Sequence, residues 1–117
     1  MILNDIKEAL ETVDPRVFYG MAVTLSDGDL WDYIVFSRVN LKVVPSKTGE
    51  AVVYRVAIVR EEFVPEDDIQ AVVDAMTGIP GMRRRESDSP FEYTKKPNTN
   101  TVVELVALDF VKPRKKF

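Results

Sequence analysis

Residues 51–80 read AVVYRVAIVREEFVPEDDIQAVVDAMTGIP, and the change of period inside this stretch decides the fold class. In its first half Val52, Tyr54, Val56 and Ile58 fall on one side of an extended chain, and Val53, Ala57 and Val59 on the other. Side chains alternate faces along a strand, so a run that is apolar on both sides predicts a central strand, or one whose second face meets a partner. The period then changes at Val64-Pro65-Glu66-Asp67-Asp68. Proline fits the first helical position, and carboxylates favour the positive end of the helix dipole. Ile69, Val72, Val73 and Met76 predict the buried stripe of that helix, with Gly78 and Pro80 ending it.

Upstream, Leu3, Ile6, Leu10 and Val13 recur at helical spacing, Ile2 and Ala9 widen the stripe, and Asp14-Pro15 stops it. Val17 to Ala22 is β-prone and runs into the turn residues Ser26-Asp27-Gly28-Asp29. Trp31 to Val44 reads as one long strand or two short ones, with Pro45 to Glu50 as a loop. Downstream, Met82 to Asn100 is the most polar stretch and reads as a hairpin arm, its short strand Phe91 to Thr94 paired with a strong final strand Thr101 to Val111. The order predicted is α-β-β-β-α-β-β, an α+β domain with a largely antiparallel sheet and two helices on one face. It spans residues 1–111, and Lys112 to Phe117 is predicted to be a basic tail that Pro113 lifts off the sheet.

The chain has 117 residues, 45% of them hydrophobic, which suits one domain able to build a core without staples. Cysteine and histidine are both absent. That removes disulfides, thiolate metal sites, a cysteine nucleophile and every histidine-containing triad. The formal net charge of −3 argues against non-specific nucleic-acid affinity. Charge is nevertheless uneven: Glu61, Glu62, Glu66, Asp67 and Asp68 crowd together, while Lys112, Arg114, Lys115 and Lys116 gather at the end, which suggests opposed faces. The N-terminus has no basic n-region, and no apolar run approaches the ~18 residues of a membrane span, so the protein is expected to stay in solution.

Asp27, Asp29 and Asp32 invite a calcium reading, but the EF-hand positions that require glycine and a terminal acidic ligand hold Asp32 and Arg38. An acidic turn is the simpler reading. Three of the five clustered carboxylates from Glu61 to Asp68 are explained by the helix start, which leaves little to recommend them as a general acid and base. No nucleophile elbow, phosphate loop or dinucleotide fingerprint is present. The expectation is therefore no enzyme, no cofactor and no metal. Phe91 and Tyr93 lie on one face of the arm's strand, either packed on the domain or anchored on a neighbouring subunit, where aromatics are enriched. For Lys112, Arg114, Lys115 and Lys116 the functional reading is docking to an acidic partner, with the tail dispensable for folding.

Tyr33-Ile34-Val35-Phe36, the run Tyr54 to Phe63, the turn Ile79-Pro80-Gly81 and the ending Lys96 to Glu104 resemble small proteins from the head-completion and tail gene block of long-tailed bacteriophages and prophages. Those are tail completion, tail terminator, head-tail joining or minor capsid proteins. The likeness covers nearly the whole chain as texture and element order, and it includes no motif with a chemical mechanism. It implies a ring subunit, typically one of six, between tail tube and head connector. DNA would pass through without specific binding, no cofactor or membrane would be involved, and the protein would assemble in the host cytoplasm before residing in the virion neck. A small intracellular ligand-binding or regulatory domain is the alternative from another class.

Overall fold

The computed structural model describes residues 2–21, 30–43, 49–85 and 88–115. Its elements are α1 (Ile2–Glu11), β1 (Val17–Tyr19), β2 (Tyr33–Val43), β3 (Gly49–Glu61), α2 (Glu66–Thr77), β4 (Arg83–Arg84), β5 (Phe91–Lys95) and β6 (Val102–Lys115). This is the predicted α+β order, with the two-residue β4 added ahead of β5. The sheet runs β1-β2-β3-β6-β4, and β5 pairs with β6 on the same side as β4. Among the described strands only the β1–β2 pair is parallel.

The residues opposite one another in the three long strands share a face. Ile34, Ile58 and Val106 form one row, and Phe36, Val56 and Leu108 the next. These six join Ile6 and Leu10 of α1 and Val72 and Met76 of α2 in a single buried cluster, so both helices cover that one face. Amphipathic helices of 10 and 12 residues reach only about 15–18 Å. Strands β3 and β6, with 13 and 14 residues, reach well over 40 Å. The sheet therefore outruns its helices, and the molecule measures 52 × 26 × 24 Å.

Local chemistry explains where elements begin and end. Tyr19 closes β1 because Gly20 turns the chain at φ +83, sooner than the expected Ala22. Pro65 occupies the N-cap of α2 rather than its first turn, and its carbonyl accepts the amide of Asp68 at 3.0 Å. Gly78 caps the far end in a right-handed conformation, while the left-handed residue after the helix is Gly81, φ +82. The β5–β6 hairpin closes through Asn98 at φ +61, with Thr99 bonded to the Lys96 carbonyl by both amide and hydroxyl.

One end of the sheet is held by ions. Arg60 lies nearly buried under the helices and pairs with Asp14 after α1 at 3.0 Å and with Asp68 in the first turn of α2 at 2.9 Å. It also donates to the carbonyls of Val59 and Tyr33. Nearby, Arg16 donates to the carbonyls of Leu30 and Asp32, and Glu61 accepts from the Trp31 amide and pairs with Lys96.

Two expectations are corrected. The basic segment is no tail: Lys112, Pro113, Arg114 and Lys115 continue β6, paired with Val52, Ala51, Glu50 and Gly49. Pro113 is tolerated for a geometric reason. The Glu62 amide bonds the Val102 carbonyl, so even-numbered residues of β6 turn their polar backbone towards β3 and odd-numbered ones away. Pro113 thus lacks an N–H on the outer side, beyond the end of β4, where no ladder bond is lost. Nor is 82–100 a projecting arm, because β4 and β5 both lie against β6.

Candidate subunit interface

Phe91 and Tyr93 stand opposite Val106 and Glu104, which places both on the helix-covered face of the sheet, as their spacing predicted. They sit beyond the reach of the helices. Every residue of β5 is exposed, Phe91 at 46% and Tyr93 at 64%. The hydroxyl of Tyr93 is engaged by Glu104, which holds the phenol above its ordinary pKa. Glu104 in turn is buried and accepts the Val64 amide at 2.7 Å. Both rings stay exposed on the sheet surface, with the Tyr93 hydroxyl directed to Glu104.

The other predicted contact residues lie elsewhere. Lys112 reaches back across the sheet and donates to the Pro80 carbonyl at 2.6 Å, beside Gly81. Arg114 and Lys115 are placed by register opposite Glu50 and Gly49, and Lys116 falls outside the described residues. Because this segment is strand, truncation after Val111 is expected to destabilise the domain rather than spare it. Losing the ladder bonds of Lys112 to Lys115, worth about 1 kcal/mol or more in sum, should lower the melting temperature by roughly 4–8 °C. Thermal unfolding followed by circular dichroism measures this, and an unchanged midpoint would show that the end of β6 contributes nothing.

Sequence reasoning gave no role to a second exposed apolar pair. The edge of β2 that no described strand pairs carries Val39 and Leu41, 42% and 51% exposed. With Arg38, Asn40 and Val52 they border an open depression of about 290 Å³. The signal in the sequence is the alternation of Val39, Leu41 and Val43, which by itself says strand and names no role. No described helix covers the second face of the sheet. There Ala51, Val53, Val59 and Val103 are buried, Tyr33, Val35, Ala57, Leu105 and Ala107 are half-buried, Phe18 stacks edge-on against Tyr33 at 5.8 Å, and Arg55 pairs with Asp109 at 2.9 Å. Burial raises the pKa of the Tyr33 phenol against the opposing charge of Arg16, and the hydrogen bond to Asp109 raises that of Arg55.

Charge separates along the strands. Glu61, Glu62, Glu66, Asp67 and Asp68 gather where β3 meets α2, and Asp32 adds its carboxylate there by accepting the Glu61 amide. Asp27 and Asp29 lie outside the described residues. At the opposite end the register groups Arg38, Lys42, Arg83, Arg84, Lys112, Arg114 and Lys115. No helix among the described residues is long and apolar enough to cross a membrane. In comparisons with known proteins, no family model matches the chain and no curated protein matches it.

Proposed function

We propose that this protein is a structural subunit of a phage or prophage neck or tail, forming a closed ring at the head-tail junction. The observation that carries the reading is the edge strand β5, which holds Phe91 and Tyr93 exposed side by side on a surface that no described element covers. Large aromatics at low conformational cost are the residues on which subunit contacts concentrate. The charge separation supports the same reading, since a body that is acidic at one end and basic at the other suits a piece held between two different neighbours, a tail tube and a head connector. The absence of histidine and cysteine agrees with a role in assembly rather than catalysis.

The test compares wild type with Phe91→Ala/Tyr93→Ala by sedimentation at high concentration and by incorporation into tails. The double variant is expected to keep its secondary structure and to lose the closed oligomer and tail incorporation. A folded double variant that still forms the same oligomer removes these residues from the contact.

A further inference from the structure

The two sheet edges that no described strand pairs, on β5 and on the later part of β2, match each other. On β5 the Lys96 amide continues the ladder to Thr101, so Glu92 and Thr94 turn their backbone groups towards β6, while Phe91, Tyr93 and Lys95 turn theirs outward. On β2 the amide of Ile34 and the carbonyl of Phe36 face β1, which ends at Tyr19. Beyond it, the irregularity between Arg38 and Asn40 changes the parity, so Leu41 and Val43 face outward along an edge that no described strand pairs. Leu41 shares a row with Val52 of the buried cluster, so this outward set lies on the helix side, as Phe91 and Tyr93 do.

We propose that β5 of one copy adds to this edge of β2 in the next, Tyr93 opposite Leu41. The contact rests on the two edges, and its closure rests on the ring reading above. Strand direction agrees: β5, β6, β3 and β2 alternate, so a sheet continued from one copy to the next brings β5 and β2 together antiparallel. Length agrees as well, since the five residues of β5 match the five from Val39 to Val43, beyond the stretch that β1 pairs. In this register Phe91 falls opposite Val43, Glu92 opposite Lys42 and Thr94 opposite Asn40. An aromatic meets an aliphatic, an acid meets a base and a hydroxyl meets an amide, which are the pairings that stabilise neighbouring strands. Lys42 would ordinarily discourage pairing at an exposed edge, and Glu92 turns that guard into selectivity.

The two edges also lie at different heights, which shapes the assembly. Tyr93 is level with Arg60 of β3 through Glu104, and Leu41 is level with Val52. Successive copies are therefore displaced along the strands by about 27 Å at the usual rise per residue. In a closed assembly the strands must then slant across the axis, as they do in barrels. Each copy donates one edge and accepts at another, a contact that makes a ring when it closes and a filament when it does not.

The chain has no cysteine, so two introduced thiols report the contact without background. Glu92 and Lys42 would form a non-hydrogen-bonded pair, whose Cα separation of about 4.5 Å admits a disulfide. The experiment mixes Glu92→Cys protein with Lys42→Cys protein under mild oxidation, and separately oxidises the Glu92→Cys/Lys42→Cys chain. The expected result is a covalent dimer in the mixture well above either protein alone, and a ladder that stops at one size in the doubly substituted chain. As a second reading, Lys42→Glu should weaken association about two- to five-fold, and Glu92→Lys in the same chain should restore it. Closed oligomers of wild type in sedimentation, with no disulfide between these positions, overturn the edge contact and leave the ring standing. A ladder without a limit supports the contact and removes closure. Wild type that stays monomeric at millimolar concentration, with no disulfide in the mixture, overturns both.

Discussion

Replacing Arg60 by Met is expected to destabilise the domain by about 3–5 kcal/mol, a large share of the roughly 5–15 kcal/mol that holds a domain together. The size follows from what is left behind. Arg60 and Asp14 are both nearly buried, with side chains 11% and 9% exposed, and their ion pair at 3.0 Å joins the end of α1 to the sheet. Asp68 brings the start of α2 to the same guanidinium but is 30% exposed, so solvent screens its share. Removing the cation leaves the Asp14 carboxylate buried without its counter-ion, and the carbonyls of Val59 and Tyr33 lose a donor. The companion variant Arg60→Met/Asp14→Asn separates these costs. Asparagine keeps an oxygen for the Arg16 amide, which Asp14 accepts at 2.8 Å, while removing the stranded charge. The double variant is expected to recover part of the loss in urea unfolding. A change below about 1 kcal/mol for Arg60→Met would mean that the triad is solvated and that the helices are fixed by apolar packing alone.

This triad marks the boundary of what the sequence made legible. Asp14 reads as part of a helix stop and Asp68 as part of a helix start, and the structure agrees, because those signals are local. Nothing local says that Arg60, 46 residues after one and eight before the other, stands between them. That placement follows from the pairing of β3 with β2, which is a long-range property. The same reasoning explains the misread end of the chain. Pro113 and its neighbouring charges look like a solvated tail, and only the phase of the Glu62–Val102 hydrogen bond reveals that the missing N–H falls on an unpaired edge. By contrast, both helices, the central strand and the β5–β6 hairpin were legible, because periodicity and turn chemistry act over a few residues. Of the proposed interface, Phe91 and Tyr93 could be picked from sequence as a same-face pair. Their proposed acceptor could not, since among the described residues Leu41 lies on an unpaired edge because β1 ends at Tyr19.

Replacing Phe110 by Ala is the second change expected to unfold much of the population, at about 3–5 kcal/mol. Phe110 is fully buried on the helix side of β6, opposite Tyr54 on one flank and Arg84 on the other. It sits towards the end of the cluster that Ile79 and Met82 close after α2, so a cavity there can be filled only by moving a turn that Lys112 also holds through Pro80. The informative comparison is Leu105→Ala on the same strand. Leu105 lies on the second face, where no described helix covers it, and in an isolated domain its loss is expected to cost within about 1 kcal/mol. Measured by denaturant unfolding, Phe110→Ala should be costly at every protein concentration. Should Leu105→Ala approach that cost as concentration rises, the second face is being covered by another copy, because only association makes stability depend on concentration. A small and concentration-independent effect would show that no other copy covers the second face.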